Sequence, residues 1–428
     1  MKKSAPQHVV IVGGGVIGLA TAWYLLDRGA QVTVLESQTV GSGASFANGG
    51  WFCPAQAGPL PEPGLTATAI ASFFDPHSAL YIVPTHLPIA APWFLRFWQY
   101  CNQADFAKGV SALAALGADT FRLVDEWSKK GVEFELHKQG MVYAAKKESS
   151  VASALQKLQP MKAFGYKLPD DLITGDELHR FEPSLSDQIT AGFFIEEHWH
   201  ARSDTLCEGL AVALRARGAR VVEGAEVLQV THHHSGRIES VSTATETIEG
   251  DEFVFATGSW VELFRGLGAP RIPIEAGKGY SFAVRPSVMP EHAVLLTDAH
   301  VGCTPFGDFM RIGGTMEFSG NNRRINKGRV DSIVKLSKDG FLPWTTDEIT
   351  DVWSGARPIA PDGLPIVDRL PQFANGYVAT GHAMQGVSLA PGTGSLLAEY
   401  IVDGSRPAVL EPFRADRFTR AGRRRSRA

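Results

Sequence analysis

Residues 8–36 constrain this chain more than any other stretch. An apolar run, His8-Val-Val-Ile-Val12, enters Gly13-Gly-Gly15-Val16-Ile17-Gly18. A helix-like segment follows to Gly29, and Gln31-Val-Thr-Val-Leu35 then leads into Glu36. Strand, glycine turn, helix, strand and acid, in that order, make the first unit of a dinucleotide-binding fold. Gly13 permits the tight turn, Gly15 lets the backbone approach a pyrophosphate, and Gly18 lets the helix pack close to the strand. The helix N-terminus then faces the phosphates with unpaired N–H groups. Glu36 stands 21 residues after Gly15, close to the offset at which a carboxylate accepts hydrogen bonds from an adenosine ribose. An acid there argues against a 2′-phosphate.

At 428 residues the chain exceeds the roughly 250–300 at which a single core stops growing, so two domains are expected. A net charge of −4 gives no reason to expect nucleic acid as a partner. Arginines gather only at the end, at Arg417, Arg420, Arg423, Arg424, Arg425 and Arg427. They read as a solvated tail, with peripheral contact to an anionic membrane as the alternative. Cys53, Cys101, Cys207 and Cys303 lie far apart without CxxC pairing, which suggests neither a disulfide framework nor a zinc site. The apolar run after Met1-Lys2-Lys3 is too short for a secretory signal, and no stretch approaches the roughly 20 apolar residues of a membrane span. A cytoplasmic protein is expected.

Apolar spacing predicts helices over 108–130, 204–217 and 395–402. Strands are predicted over 219–230 and 237–241, joined by the turn His232-His-His-Ser-Gly236. Adjacent histidines in a turn do not converge on a metal, and no metal is expected. Residues 251–256 read as a buried strand ending in Thr257-Gly258, at the end of the sheet where ligands bind in open α/β folds. Between Gly277 and Gly313 the pattern changes to short alternating strands, a different layer from the opening unit. The chain returns to the first layer at Gly376-Tyr-Val-Ala-Thr380.

Together these segments resemble the FAD-dependent D-amino-acid oxidase/dehydrogenase family. The matching stretches are the opening glycine loop with Glu36, Ser45 to Gly50, Ala256-Thr-Gly258, Gly277-Lys-Gly-Tyr280, Gly313-Gly-Thr-Met-Glu317, Gly355-Ala-Arg357-Pro358, Pro361-Asp-Gly-Leu-Pro365 and Gly381-His382 to Gly394. The resemblance implies an α/β fold: an FAD-binding Rossmann-type parallel-sheet domain with an inserted mixed or antiparallel substrate domain. It assigns 1–75, 196–274 and 346–428 to the first, and 76–195 and 275–345 to the second.

It further implies that FAD is held by Gly13, Gly15, Val16, Ile17, Gly18, Glu36, Ser37, Ser42, Ser45, Asn48, Gly49, Gly50, Val227, Thr257 and Gly258. Gly381, His382, Gly386, Val387 and Ser388 approach the pyrimidine side of its ring. A helix starting after that loop would turn its positive end toward charge gathering on a reduced flavin.

In the matching enzymes the arginine of Gly-x-Arg-Pro grips the substrate carboxylate, which implies that role for Arg357. Two parallel N–H donors suit a planar carboxylate. A structural ion pair is the alternative. Tyr280 is a candidate to close the pocket, or a core residue with its hydroxyl satisfied. His382 is a candidate to bond near the flavin, or a backbone cap. Trp51, Tyr81, Trp93, Phe94, Phe97 and Trp98 either line the pocket or form core, a dimer contact or a membrane-facing patch. Ala383 and Asp368 occupy positions where relatives have glycine.

The implied activity is oxidative deamination of a D-amino acid, with hydride passing from the α-carbon to flavin N5 and the imino acid hydrolysing in water. Electrons would pass on to oxygen or a quinone. The alternatives are glycine, sarcosine or a cyclic amino acid as substrate, or a flavin-binding electron-transfer subunit without a substrate pocket.

Overall fold

The computed structural model describes residues 7–65, 78–261, 272–345 and 349–419. Its first layer is a six-stranded sheet in the order Arg220–Val222, Gln31–Leu35, His8–Val12, Glu252–Phe255, Gly376–Thr380 and Ile366–Arg369. Only Ile366–Arg369 is antiparallel to its neighbour. Near-continuous Val/Ile/Phe strands such as His8–Val12 need cover on both faces, and both are covered. Helices Val16–Asp27, Ser203–Ala216 and Gly386–Asp403 pack on one face. A three-stranded antiparallel sheet, Gln229–His232, Ile238–Ser242 and Thr247–Glu249, covers the other. Side chains such as Val9, Ile11 and Phe253 are fully buried, each stabilising the fold by roughly 1.5–3 kcal/mol.

The second layer is a large mixed sheet. Its strands run Thr350–Ile359, Glu275–Val284, Phe309–Phe318, Val301–Phe306, Ala293–Leu296, Met141–Ala145, Ala191–Ile195 and Ile173–Thr174, with Leu80–Ile82 pairing beside Phe309–Phe318. This arrangement departs from the partition drawn from the sequence. Thr350–Ile359 lies in the large sheet, although 346–428 was grouped with the nucleotide fold. It is an edge strand, which is why it tolerates Pro358. Residues 103–129 were grouped with the substrate domain, yet helices Gln103–Gly117 and Thr120–Lys129 pack on Gly386–Asp403.

The last long helix begins at Gly386, not Ser395. Pro391, Gly392 and Gly394 read as loop formers, but they serve close packing. A Cβ at Gly392 would collide with the Leu116 carbonyl, and one at Gly394 would come within 2.6 Å of the Ala20 backbone. Of the C-terminal arginines, Arg417 is not a free tail residue, because it bonds Asp362 at 2.7 Å. Arg420, Arg423, Arg424, Arg425 and Arg427 lie outside the described residues. No helix among the described residues is long and apolar enough to cross a membrane.

Candidate active site

The opening turn has the shape its glycines predict. Gly13 sits at φ 111°, and a Cβ there would strike the Ala256 carbonyl. A Cβ at Gly18 would strike Gly13 itself. Gly15 differs, since the nearest atom to a Cβ there is the Ser45 hydroxyl at 3.4 Å, leaving its backbone open to a ligand. Val16 and Ile17 form the first turn of the helix, where Ser45 Oγ accepts the Val16 N–H at 3.1 Å.

Glu36 holds the loop together. Its carboxylate accepts the N–H groups of Gly14 (2.8 Å) and Gln38 (3.0 Å) and the Ser37 hydroxyl (3.0 Å). Asn48 likewise faces inward, accepting from Gly50 N at 2.7 Å and donating to the Ala44 and Ser45 carbonyls. Val227 is partly buried near Ala225, whose N–H bonds the Glu36 carbonyl at 2.8 Å. The strand ends at Gly258 and Thr380 are joined by a hydroxyl-to-carbonyl bond of 2.6 Å.

Two hydroxyls in this crevice, Ser42 Oγ and Thr257 Oγ1, are buried and have no partner among the described residues. Buried polar atoms normally find one. Phe46 and Trp260 flank them, each 40% exposed. Open backbone at Gly15, orphaned hydroxyls and bare aromatic edges together fit a ligand with a phosphate part and a flat ring part, as FAD has.

At the other end, Gly381 takes φ 81° and leads to the helix Gly386–Asp403. Gly386, Val387 and Ser388 form its first turn, and no side chain of the N-cap residue Gln385 closes it. Its N–H groups give this end a positive potential. Ser388 Oγ accepts the Cys53 N–H at 3.1 Å, docking the segment that follows Gly49 and Gly50. His382 is held from one side by a side-chain partner. Its Nε2 bonds Thr393 Oγ1 at 3.1 Å, behind the loop, and burial pushes its pKa down to about 3, which keeps it neutral.

The large sheet meets this crevice with one face. Two carbonyls of the segment 45–50 receive hydroxyls from it: Ala47 from Ser281 (2.6 Å) and Gly49 from Thr304 (3.1 Å). Trp51 Nε1 donates to the same Thr304 hydroxyl at 2.8 Å. Opposite residues of an antiparallel pair share a face, and the register pairs Gly277 with Arg357, Gly279 with Gly355, and Ser281 with Trp353. Those six residues therefore lie on the face that touches the crevice. The glycines make room there. The Arg357 guanidinium lies over Gly279, the Trp353 ring lies over Gly355, and Trp51 covers Gly302.

Arg357 is partly buried and donates from Nη1 to the Thr315 carbonyl at 2.8 Å, with Met316 Sδ at 3.8 Å. Among the described residues no carboxylate pairs with it, which speaks against a structural ion pair. Desolvation pushes it down to about 10. Leaving a guanidinium without a counter-ion is costly, and an arriving carboxylate would remove that cost.

Tyr280 points the other way. It occupies an even position of the strand, is 2% exposed, and donates to Glu317 at 3.0 Å. Glu317 pairs with Lys278 at 3.0 Å, both 2% exposed. The structure thus separates Tyr280 from Arg357 by the thickness of the sheet, and the core reading holds for it.

Trp93, Phe94 and Phe97 pack with Met316, Phe318 and Ile359 as an apolar cluster. Tyr81 stacks under Arg329, and Trp98 is exposed. Sequence reasoning missed Trp353, Ser281, Thr304 and Thr315. Trp353 was recoverable, since it precedes Arg357 by two strand periods. The others depend on pairing between distant strands.

The sequence profile of the family described as FAD dependent oxidoreductase matches residues 8–400. A D-amino acid dehydrogenase of Rhizorhabdus wittichii is 29% identical, over 94% of this chain and 98% of its own. Among solved structures, glycine oxidase from Geobacillus kaustophilus superposes with a TM-score of 0.71 at 25% identity, over 96% of this chain and 99% of its own. L-proline dehydrogenase from P. horikoshii gives 0.72 at 20% identity, over 98% and 99%.

Proposed function

Because the chain belongs to the family of FAD dependent oxidoreductases, we propose that it deaminates an amino acid oxidatively, and that its substrates are D-amino acids. One observation carries the reading: Arg357 is a desolvated guanidinium with no counter-ion among the described residues, on the sheet face that closes the dinucleotide crevice. A flavin-binding subunit that only relays electrons has no use for such a group. The D-amino acid dehydrogenase named above, similar over nearly the full length, supports the choice of substrate.

Gly13, Gly15, Ser42, Thr257 and the helix turn at Gly386–Ser388 would hold FAD, which when bound supplies the acceptor for the hydride lost from the substrate α-carbon. Arg357 would fix the carboxylate with its free N–H donors and so orient the α-carbon. Met316 beside it, and Trp353 over the neighbouring Gly355, would help to exclude water. His382 stays neutral and faces Thr393, and Tyr280 lies behind the sheet. The reading therefore assigns no protein base, and the amine arrives unprotonated. The imino acid then hydrolyses to a 2-oxo acid and ammonia.

Glycine, sarcosine or a cyclic amino acid forms the second reading, favoured by the space that Arg357 and Trp353 fill over the paired Gly279 and Gly355, with Met316 Sδ 3.8 Å from Arg357. Anaerobic mixing of the FAD-loaded protein with D-amino acids, L-amino acids, glycine, sarcosine and D-proline decides between them. Bleaching of the flavin absorbance by D-amino acids is expected. Bleaching by L isomers alone, or by none of the panel, overturns the proposal.

A further inference from the structure

We propose that Thr315 is a second binding residue for the substrate carboxylate: its carbonyl aims the Arg357 guanidinium, and its hydroxyl donates to the carboxylate that Arg357 holds. The inference rests on the amino-acid reading for the identity of the ligand. Three independent observations converge on this one residue.

The first is a β-bulge. Glu317 pairs with Lys278 and Gly314 pairs with Tyr280, so Thr315 and Met316 together oppose the single residue Gly279. A bulge re-aims side chains and carbonyls locally, and bulges concentrate near active sites. Here Gly279 is also the residue over which Arg357 lies. The Thr315 carbonyl leaves the ladder and meets Arg357 Nη1 at 2.8 Å.

The second is backbone conformation. Thr315 takes φ 62°, in the left-handed region that a β-branched residue rarely enters. Glycine would be at ease there. Strain of this kind persists where the surroundings over-determine it, and it gathers at ligand clamps. The anchor lies two residues along, where Glu317 is fixed on the opposite face by Lys278 (3.0 Å), Tyr280 (3.0 Å) and Asn326 (3.1 Å).

The third is the side chain itself. Thr315 is 8% exposed, and its Oγ1 is buried without a partner among the described residues. A buried hydroxyl left unmatched is costly. It sits in the residue that already touches the guanidinium. A carboxylate has about four acceptor sites and a bidentate arginine uses two, so a hydroxyl donor can be added without displacing the arginine.

The test uses the FAD-loaded protein and two probes. Propanoate, which has a carboxylate and no amine, is titrated by its perturbation of the flavin spectrum. The amino acid found to bleach the flavin is followed by stopped-flow reduction. Thr315→Val keeps the branched shape and removes the hydroxyl. It should weaken propanoate about tenfold or more and raise the half-saturating amino-acid concentration by a similar factor, with the limiting reduction rate little changed.

Thr315→Ser should stay within about threefold of wild type. Thr315→Gly, which suits the backbone and so keeps the fold, should lose affinity as valine does without loss of Tm. A mere role in folding would lower Tm in Thr315→Val and spare propanoate affinity. Wild-type affinity for propanoate in both the valine and glycine variants overturns the proposal. Absence of bleaching by any amino acid would instead strike the reading of the reaction, while propanoate still reports on Thr315.

Discussion

Arg357 lies across Gly279, two residues beyond its register partner Gly277 on the paired strand, and occupies the space a Cβ at that glycine would need. Gly279→Ala is therefore expected to expel the guanidinium from its place. The half-saturating substrate concentration should rise at least tenfold, the loss of a charged hydrogen bond of about 1.5–3 kcal/mol. The flavin spectrum should not move. Unchanged reduction kinetics would show that the guanidinium does not need this bed.

Charge and shape at position 357 can be separated. Arg357→Ala should lose a few kcal/mol of transition-state binding, and Arg357→Lys should recover only part of it, because an ammonium is a point charge without the planar fork. Stopped-flow reduction at wild-type rate and affinity in Arg357→Ala would remove Arg357 from the site, and the same result in Arg357→Lys alone would show that charge suffices without the fork.

Ala383 takes φ 47°, and its backbone N–H bonds the Pro358 carbonyl at 2.9 Å, beside Arg357. Left-handed backbone costs a residue with a Cβ about 1–2 kcal/mol. Ala383→Gly should therefore raise stability by up to about 1 kcal/mol, the rest being offset by the freer unfolded chain. Chemical denaturation of the two proteins measures this. A destabilised glycine variant would mean that the methyl's packing against the apolar cluster outweighs the strain.

Acid should weaken the fold through buried histidines. Desolvation lowers His198, His200 and His382 to about 3 each, from an ordinary 6.5. Each is neutral when folded, while the unfolded chain takes up a proton below 6.5. Their stabilisation is thus full above pH 6.5 and is lost as pH falls toward 3, by about 1.4 kcal/mol per pH unit for each histidine. His198→Leu should remove one proton from that slope, visible in denaturation midpoints at pH 5 and pH 8. Parallel slopes would contradict the assignment.

The nucleotide unit was legible because its signals are local. Gly13, Gly15, Gly18 and Glu36 lie within one strand–helix–strand passage, and each acts on its immediate surroundings. Arg357 was singled out by a short motif, and the strand pairing puts it on the crevice face. Tyr280 was not legible, since its face follows from the pairing of Gly277 with Arg357, residues eighty positions apart in sequence, and neither strand alone states it. The start of the helix at Gly386 was hidden for another reason. Gly392 and Gly394 are small because Leu116 and Ala20 crowd them, and crowding from distant segments leaves the same letters as a flexible loop. The bulge at Thr315 likewise exists only relative to the partner strand.

One segment joins both layers. The carbonyls of Ala47 and Gly49 each take a hydroxyl from a different strand of the large sheet, Ser281 from one and Thr304 from another. Pivoting the layers apart would break both bonds at once, so the molecule has no cheap hinge at this seam. Passage in and out would then fall to exposed side chains near it, Phe46, tilted against Trp353 with ring centroids 6.3 Å apart, and the 60% exposed Met384. Turnover paced by such small doors would respond to bulk at those two positions and hardly at all to solvent viscosity.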